Sequence, residues 1–294
     1  MPDIPDFQYL VELLDDEDSV VSESVRRRLS EFGQTSVRAL MAVAARESNP
    51  RRREVVETVI ESINTELKLN ALRSLFDNSG SCVSLFESAY IISSLIDPSV
   101  AREPFEERFF RCSSEYMAES SDQRTAVENI RIFNHIFFHR LSFSLYDVDV
   151  RLPEYALLNE VIRTRKGNPF AVAYIYLMMG QVAGLPLRVL TFPGGFVPVY
   201  VENGKELFYI NVYRNGEIFL KDSLTAFMSA LGLNIAPEDF KLRDENALVS
   251  IYLESLQYIF SNSSDEKKCR AIDRALEIFG TERFLSADLD EEGY

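Results

Sequence analysis

The sequence predicts a predominantly helical α+β fold, and three observations support this prediction. Apolar residues recur at spacings of three and four along the first half of the chain and again near its end, as on the buried face of a helix. A nearly continuous apolar stretch, FAVAYIYLMMGQVAG, follows Gly167-Asn168-Pro169 and is typical of a helix buried on most sides. Runs rich in β-branched and aromatic residues come next and are separated by Asn-Gly pairs, as in β-hairpins.

Residues 1–145 are predicted to form a helical region. Asp6 is the expected cap of a first short helix, and Gly33 is the expected end of a later one. The acidic stretch LLDDEDSVV lies between two short helical patterns, so the start of this region resembles a HEAT-type helical hairpin. Helical spacing then continues to about residue 145.

Residues 146–222 are predicted to form a compact α+β core around one helix. Asn168 is a good N-cap and Pro169 a good first-turn residue. Gly184 is placed to end the helix in the left-handed conformation, with Pro186 preventing its continuation. This central helix is therefore expected between residues 169 and 183.

An antiparallel meander is predicted after the central helix, with its apolar face packed on that helix. Asn203-Gly204 and Asn215-Gly216 favour two-residue type I′ turns. The predicted strands are Leu187–Phe192, Phe196–Val201, Leu207–Tyr213 and, as a possible fourth, Glu217–Leu220.

Residues 223–280 are predicted to be helical and to end in a helical hairpin that resembles a single TPR unit. Leu248, Tyr252 and Leu256 share one helix face, and a loop rich in capping residues precedes the second helix. The last stretch, 281–294, ends in ADLDEEGY and is predicted to be a disordered acidic tail.

Composition limits the function classes. The 294-residue chain carries 31 Lys and Arg against 46 Asp and Glu, a net charge of −15, which argues against a general nucleic-acid binder. No apolar run has the length of a membrane span, and the N-terminus lacks the pattern of a signal peptide. Three widely separated cysteines indicate reduced thiols, so a cytoplasmic protein without membrane partners is expected.

Two basic triplets oppose the overall charge, Arg26–Arg28 and Arg51–Arg53. They would form a patch for an anionic partner if they joined into one positive strip. The simpler interpretation is two solvated helix faces compensated by nearby glutamates, and we favour it because aromatic residues are not interleaved with the arginines.

His135 and His139 are four residues apart and share a helix face, a spacing that can hold a metal when a third ligand arrives. Asp147 and Asp149 are nearby in sequence. However, no glutamate of the HExxH type lies between the histidines. A packed helix with polar residues at its edge explains FNHIFFHRL better, and the sequence predicts no metal and no other cofactor.

A buried helix followed by an antiparallel meander is also a catalytic geometry. In transglutaminase-like and papain-like enzymes a cysteine opens such a helix, whose N-terminus favours the thiolate. A histidine from the following sheet takes the thiol proton, and an Asp or Asn on the next strand orients the imidazole.

The segments LNEVIRTRKGNPFAVAYIYLMMGQVAGLPLRVLTFPGGF and FYINVYRNGEIF resemble those of the SirB-type, transglutaminase-like bacterial proteins. The upstream LLDDEDSVV, FESAYIISSLIDPSV and FNHIFF resemble the helical N-terminal region of that family. The resemblance covers residues from about 10 to 280. It implies a transglutaminase-like core in residues 146–222 flanked by helices.

All three catalytic positions depart from the pattern that the resemblance implies. Gly195 occupies the histidine position, Asn211 the position often held by Asp, and Pro169 or its neighbour the cysteine position. Independently of any alignment, the only histidines are His135 and His139, so nothing later in the chain can supply an imidazole to the sheet. The sequence therefore predicts no catalytic residue in the core.

The expected function is that of a non-enzymatic binding or scaffold protein that recognises a protein or peptide partner through the degenerate cleft. A hydrolase or transferase that uses other groups in the same cleft is the alternative, and a regulatory protein acting through the arginine triplets is a third. Aromatic candidates for the cleft are Phe170, Phe196 and Tyr209. The main candidate cleft residues are Arg165, Asn168, Pro169, Gly195, Tyr200, Asn211 and Tyr213.

Overall fold

The structure is a computed structural model, and it falls into two compact units that divide after Ser74. The first unit contains the helices α1 (Phe7–Glu12), α2 (Ser19–Glu31), α3 (Gln34–Ala44) and most of α4 (Pro50–Asn78). The described residues are 4–78, 83–119, 121, 123–146, 151–230, 235–261 and 265–285.

The first unit is built around an aliphatic core contributed by its helices. Leu29, Leu40 and Ile63 are at most 1% exposed at its centre. Asp18 caps α2 by accepting a 2.9 Å hydrogen bond from the Val20 amide, and Gly33 takes a positive φ of 52° between α2 and α3. Asp6 occupies the N-cap position of α1 as predicted, but it is left-handed and its side chain makes no cap hydrogen bond.

The arginine triplets of the first unit have local acidic and carbonyl partners. Arg28 pairs with Glu31 at 2.5 Å, as the compensated-face interpretation expects. Arg53 donates to the Glu47 carbonyl oxygen, and Arg52 lies 3.9 Å from the Glu47 carboxylate. Glu47 lies in the turn between α3 and α4, which brings it close to the second triplet.

The second unit surrounds one central helix, α9, whose residues from Ala171 to Gly180 are all buried. A π-helical turn, His135–Arg140, continues α7, and the Leu141 amide bonds back to the Ile136 carbonyl. The helices of the second unit are α5 (Leu85–Ile96), α6 (Arg102–Met117), α7 (Ala126–Asn134), α8 (Leu158–Thr164), α9 (Pro169–Val182), α10 (Leu224–Ala230), α11 (Glu245–Ser261) and α12 (Glu266–Glu277).

A five-stranded antiparallel sheet packs on the central helix, and the predominantly helical α+β prediction is confirmed. The order is β6-β5-β4-β3-β7, and β7 had not been predicted. Two further short strands pair in parallel. The strands are β1 (Ser144–Leu145), β2 (Lys166–Gly167), β3 (Leu187–Phe192), β4 (Gly195–Glu202), β5 (Lys205–Asn211), β6 (Glu217–Phe219) and β7 (Lys241–Arg243).

The two Asn-Gly turns behave differently. Asn203 and Gly204 have φ of 50° and 73° and join β4 to β5 as the predicted two-residue turn. Asn215 and Gly216 are also left-handed, but five residues separate β5 from β6. A 3-10 turn fills that connection, and the Gly216 amide bonds back to the Asn211 carbonyl at 2.9 Å. The prediction of a two-residue turn there is wrong.

Both faces of the sheet are covered by other elements. Phe196 on β4 lies 6.5 Å, centroid to centroid, from Phe170 on α9. On the opposite face, Val199 packs in a cluster with Leu224 and Met228 of α10. This two-sided burial explains why β4 reads as a continuous apolar run rather than as an alternating strand.

The C-terminal helices α11 and α12 pack against each other, and α11 packs against α9. Tyr252 on α11 lies 5.0 Å from the Tyr174 ring and donates a 2.9 Å hydrogen bond to the Ala156 carbonyl. A fully buried hydroxyl therefore joins α11 to the segment that precedes α8. Among the described residues, none of the helices combines the length and the apolar character that crossing a bilayer requires.

Candidate functional site

The N-terminal end of α9 is closed by its own capping groups. The Asn168 side chain accepts a 2.9 Å hydrogen bond from the Ala171 amide, and Pro169 occupies the first helical position. The Asn168 amide donates to the Tyr155 carbonyl at 2.6 Å. With 1% of its surface exposed, Asn168 serves as an internal cap at this point.

Gly195 begins β4 directly after a tight turn. Pro193 and Gly194 form that turn, and Gly194 has a φ of 89°, as the third position of a type II turn requires. Gly195 is buried opposite Phe192, and a Cβ added to it would lie 3.1 Å from the Phe192 ring. A larger residue at 195 therefore needs that ring to move. Gly195 precedes Phe196, so it lies close to the start of α9.

Tyr200 and Asn211 are buried side chains of the sheet. Tyr200 is 5% exposed and stacks on Phe208 at 5.0 Å, and burial raises the pKa of its hydroxyl. Burial, and secondarily the neighbouring Tyr200, raises the pKa of Tyr116 on α6. Asn211 is 4% exposed, and its Oδ1 has no hydrogen-bond partner among the described residues.

A buried hydrogen-bond relay that sequence reasoning missed is centred on Asn134. The Tyr176 hydroxyl donates to Asn134 Oδ1 at 2.7 Å, and Asn134 Nδ2 donates to the Gly216 carbonyl at 2.6 Å. Burial raises the pKa of Tyr176 well above its usual value. The available signal was an asparagine inside the apolar run IFNHIFF, where a polar side chain needs partners.

Arg165 packs against an aromatic ring at the end of α8. It ends α8 in the left-handed conformation, and its guanidinium sits 4.8 Å above the Phe143 ring. Burial raises the pKa of the Cys112 thiol, and Arg165 partly offsets this shift. Arg165 Nη1 is buried and has no hydrogen-bond partner among the described residues. The nearby Glu160 pairs with Arg163 at 2.6 Å.

The candidate residues thus lie on several elements of the second unit. Tyr213 follows β5 and is 39% exposed. Tyr209 lies on the sheet face that is turned away from α9, and its hydroxyl donates to Glu206 at 2.6 Å. Asn168 and Pro169 lie at the start of α9, Gly195 begins β4, Tyr200 and Asn211 lie in the sheet, and Arg165 lies against Phe143.

The chain's own C-terminal segment, residues 281–285, is held beside the Gly195 turn. The Gly194 amide donates to the Phe284 carbonyl at 3.1 Å. Glu254 Oε2 accepts from the Phe284 and Leu285 amides at 2.9 and 2.8 Å. These five residues are docked, in contrast to the predicted disordered tail, and residues 286–294 lie outside the described residues.

Two further groups support this contact. Arg243 forms an ion pair with Glu282 and lies 5.7 Å from the centroid of the Phe284 ring. Glu254 is 5% exposed, and burial raises the pKa of its carboxyl while the two backbone amides lower it. A buried carboxylate that accepts two consecutive amides is a strong, charge-assisted contact to an extended backbone.

Neither of the two described thiols forms a hydrogen bond with an imidazole. His135 and His139 are exposed on the π-helical turn with ring centroids 5.5 Å apart. Cys112 is buried and its thiol donates to the Arg108 carbonyl, while the Cys269 thiol donates to the Phe260 carbonyl. Cys82, Asp147 and Asp149 lie outside the described residues. Within the described part of the chain, no group of three His, Cys, Asp or Glu is arranged to hold a metal ion.

Comparison with known proteins places this architecture in a family. Residues 105–253 match the family model described as the transglutaminase-like superfamily. The chain belongs to the transglutaminase-like superfamily. The match runs from α6 into α11 and so includes the central helix, all five strands of the sheet and both histidines.

Relatives of this transglutaminase-like protein include UPF0162 proteins of two bacteria. The one from Vibrio cholerae is 24% identical over 155 residues, which are 53% of this chain and 57% of the relative. The one from Xylella fastidiosa (strain Temecula1) is 31% identical over 81 residues, which are 25% of this chain and 29% of the relative. The chain thus matches about half the length of the first relative and less of the second. No solved structure matches the chain.

Proposed function

We propose that this protein is a non-enzymatic binding or scaffold protein on a degenerate transglutaminase-like core of the SirB type, and that it recognises a protein or peptide partner. The observation that carries the proposal is that residues 146–222, which hold the central helix and the meander, contain neither cysteine nor histidine. Nucleophilic catalysis of the transglutaminase kind needs both groups within hydrogen-bond reach. We also propose a cytoplasmic location, from the three widely separated cysteines, and no nucleic-acid partner, from the net charge of −15.

The packing at the start of α9 supports the proposal. Asn168 and Pro169 are occupied as helix cap and first-turn residue. An imidazole at position 195 would meet the Phe192 ring. Two of the three positions where the resemblance implies chemistry, residues 168–169 and 195, thus serve capping and packing here.

The docked C-terminal segment supports peptide recognition in particular. Glu254 and the Gly194 amide bind Phe284 and Leu285 through their backbone groups. Recognition through main-chain hydrogen bonds tolerates many side chains, and side-chain pockets then add specificity. A partner segment with an extended backbone and an aromatic residue for Arg243 fits the same contacts.

The alternative, a hydrolase or transferase that uses other groups in the cleft, has less support. A general acid or base works best when its pKa is near neutrality. Burial instead raises the pKa values of Tyr176 and Tyr200 from the usual tyrosine value, so these hydroxyls stay neutral at physiological pH.

A labelled synthetic peptide of residues 278–294 tests the proposal directly. We expect saturable binding, by fluorescence anisotropy, to a chain that ends at Gly280. The full chain should bind the peptide at least about tenfold more weakly, because its own segment occupies the contacts. Glu254→Ala in the shortened chain should also weaken binding, whereas Glu238→Ala, an exposed matched control, should not. Equal binding of a scrambled peptide, or no binding to the shortened chain, would refute peptide recognition at this site.

A further inference from the structure

A cavity of about 250 Å³ lies at the C-terminal end of α9, the opposite end of that helix from Asn168. Its walls come from the end of α9, the loop that leads into β3, and the first residues of α5 and α11. Most of the lining is aliphatic and at least nine-tenths buried, and these side chains are Leu85, Leu177, Leu185, Leu187, Val189 and Leu248.

Three polar side chains line the cavity. One makes hydrogen bonds through both of its polar atoms, and the other two each keep at least one polar atom without a partner among the described residues. Gln181 caps α5, because its Oε1 accepts from the Leu85 amide at 2.9 Å and its Nε2 donates to the Val83 carbonyl at 2.8 Å. The two remaining polar side chains of the lining are Glu245 and Arg188, which carry opposite charges. Recognition in this cavity therefore depends on these two residues.

Glu245 is 6% exposed and only half satisfied. Its Oε1 accepts a 2.9 Å hydrogen bond from Arg188 Nη1, while its Oε2 is buried without a hydrogen-bond partner among the described residues. A buried carboxylate oxygen without a donor is costly. The position of Glu245 at the first turn of α11 offsets part of that cost, since helix N-termini favour negative charge.

Arg188 is the more open member of the pair, with 42% of its side chain exposed. Its hydrogen bonds, to Glu245 and to the Leu187 carbonyl, both use Nη1. Among the described residues, Nε and Nη2 have no hydrogen-bond partner and so remain for an acceptor. The wall thus offers an acceptor at Glu245 and donors at Arg188, side by side, next to aliphatic surface.

We propose that this cavity binds a free α-amino acid with an aliphatic side chain. The ammonium group supplies the donor that Glu245 Oε2 lacks, the carboxylate meets Arg188, and the side chain enters the leucine-rich part. A net-neutral pair of opposite charges matches a net-neutral zwitterion. The volume lies below the range of about 300–1,000 Å³ for drug-sized ligands, so the ligand must be small. The proposal is independent of the peptide contacts at the other end of α9.

Titration calorimetry of the full-length wild-type protein with L-leucine tests the proposal without any substitution. We expect saturable binding of L-leucine, at least about tenfold weaker binding of N-acetyl-leucine and of leucinamide, and no binding of glycine. The tenfold figure corresponds to the loss of one hydrogen bond to a charged group. No heat of binding with L-leucine, or equal binding of the two blocked analogues, would overturn the proposal.

Substitutions of the two charged lining residues provide a second test of the proposed amino-acid site. Glu245→Gln and Arg188→Gln should each weaken L-leucine binding about tenfold or more, while circular dichroism shows an unchanged fold. The surface pair offers a matched control, since Glu160→Gln breaks the exposed contact with Arg163 and should leave L-leucine binding unchanged. Unchanged affinity in folded Glu245→Gln and Arg188→Gln variants would contradict the assigned site.

Discussion

Tyr176 donates a 2.7 Å hydrogen bond to Asn134 Oδ1 in the fully buried interior of the second unit. Asn134 Nδ2 in turn donates a hydrogen bond to the Gly216 carbonyl. One relay thus joins the central helix, the helix before the π-helical turn, and the loop that follows β5. Around this relay the transglutaminase-like core is held together by internal polar contacts.

Tyr176→Phe should destabilise the protein by about 1–3 kcal/mol, because it leaves the buried Asn134 Oδ1 without a donor. Urea denaturation followed by circular dichroism measures the change in the free energy of unfolding. Tyr9→Phe is the control, since Tyr9 is 62% exposed and should change stability by less than about 0.5 kcal/mol. Equal effects of the two substitutions would show that the relay does not stabilise the fold.

Gly216→Ala and Gly204→Ala form a matched pair. Both glycines have φ near 75°, so alanine is strained at either position by about 1–2 kcal/mol. At Gly216 the new Cβ would also overlap the Asn134 side chain, whereas at Gly204 nothing lies within 4 Å. We expect Gly216→Ala to cost roughly 1–3 kcal/mol more than Gly204→Ala in thermal or urea unfolding. A smaller cost at Gly216 would contradict the close approach.

The free energy of unfolding should depend on pH because the pKa of Glu254 differs between the folded and unfolded states. Burial raises the pKa of Glu254 above its ordinary value of 4.5. Over the pH range between that value and the raised pKa, the folded state therefore binds a proton that the unfolded state has released. Stability must then fall as pH rises through this range. The difference in unfolding free energy between wild type and Glu254→Gln, measured from pH 4 to pH 7, should decrease accordingly. A difference that stays constant across this range would rule out the shift.

Much of the core was predictable because local chemistry determined it. Asn168, Pro169 and Gly184 fix the two ends of α9 through a cap, a missing amide and a left-handed residue, and all three are read from single positions. Asn203-Gly204 likewise specifies its turn.

The unpredicted features depend on long-range contacts. The strand Lys241–Arg243 has only three residues, too few for a strand pattern to stand out, and it forms by pairing with the edge that β3 offers. Asn215-Gly216 has the backbone of a hairpin turn, but Asn134 engages the Gly216 carbonyl from 82 residues away and the connection stays longer. Glu254 and Glu245 look like surface glutamates in sequence, and only the packing of distant segments buries them.

Thiol-dependent turnover is the measurement that tests the central claim most directly. Purified protein can be incubated with a fluorescent primary amine and a glutamine-bearing protein, and separately with a peptide library, with and without iodoacetamide. Because the core encodes no cysteine or histidine, we predict no product above the protein-free control in any arm. Product that increases with protein concentration and disappears after iodoacetamide treatment would contradict the account.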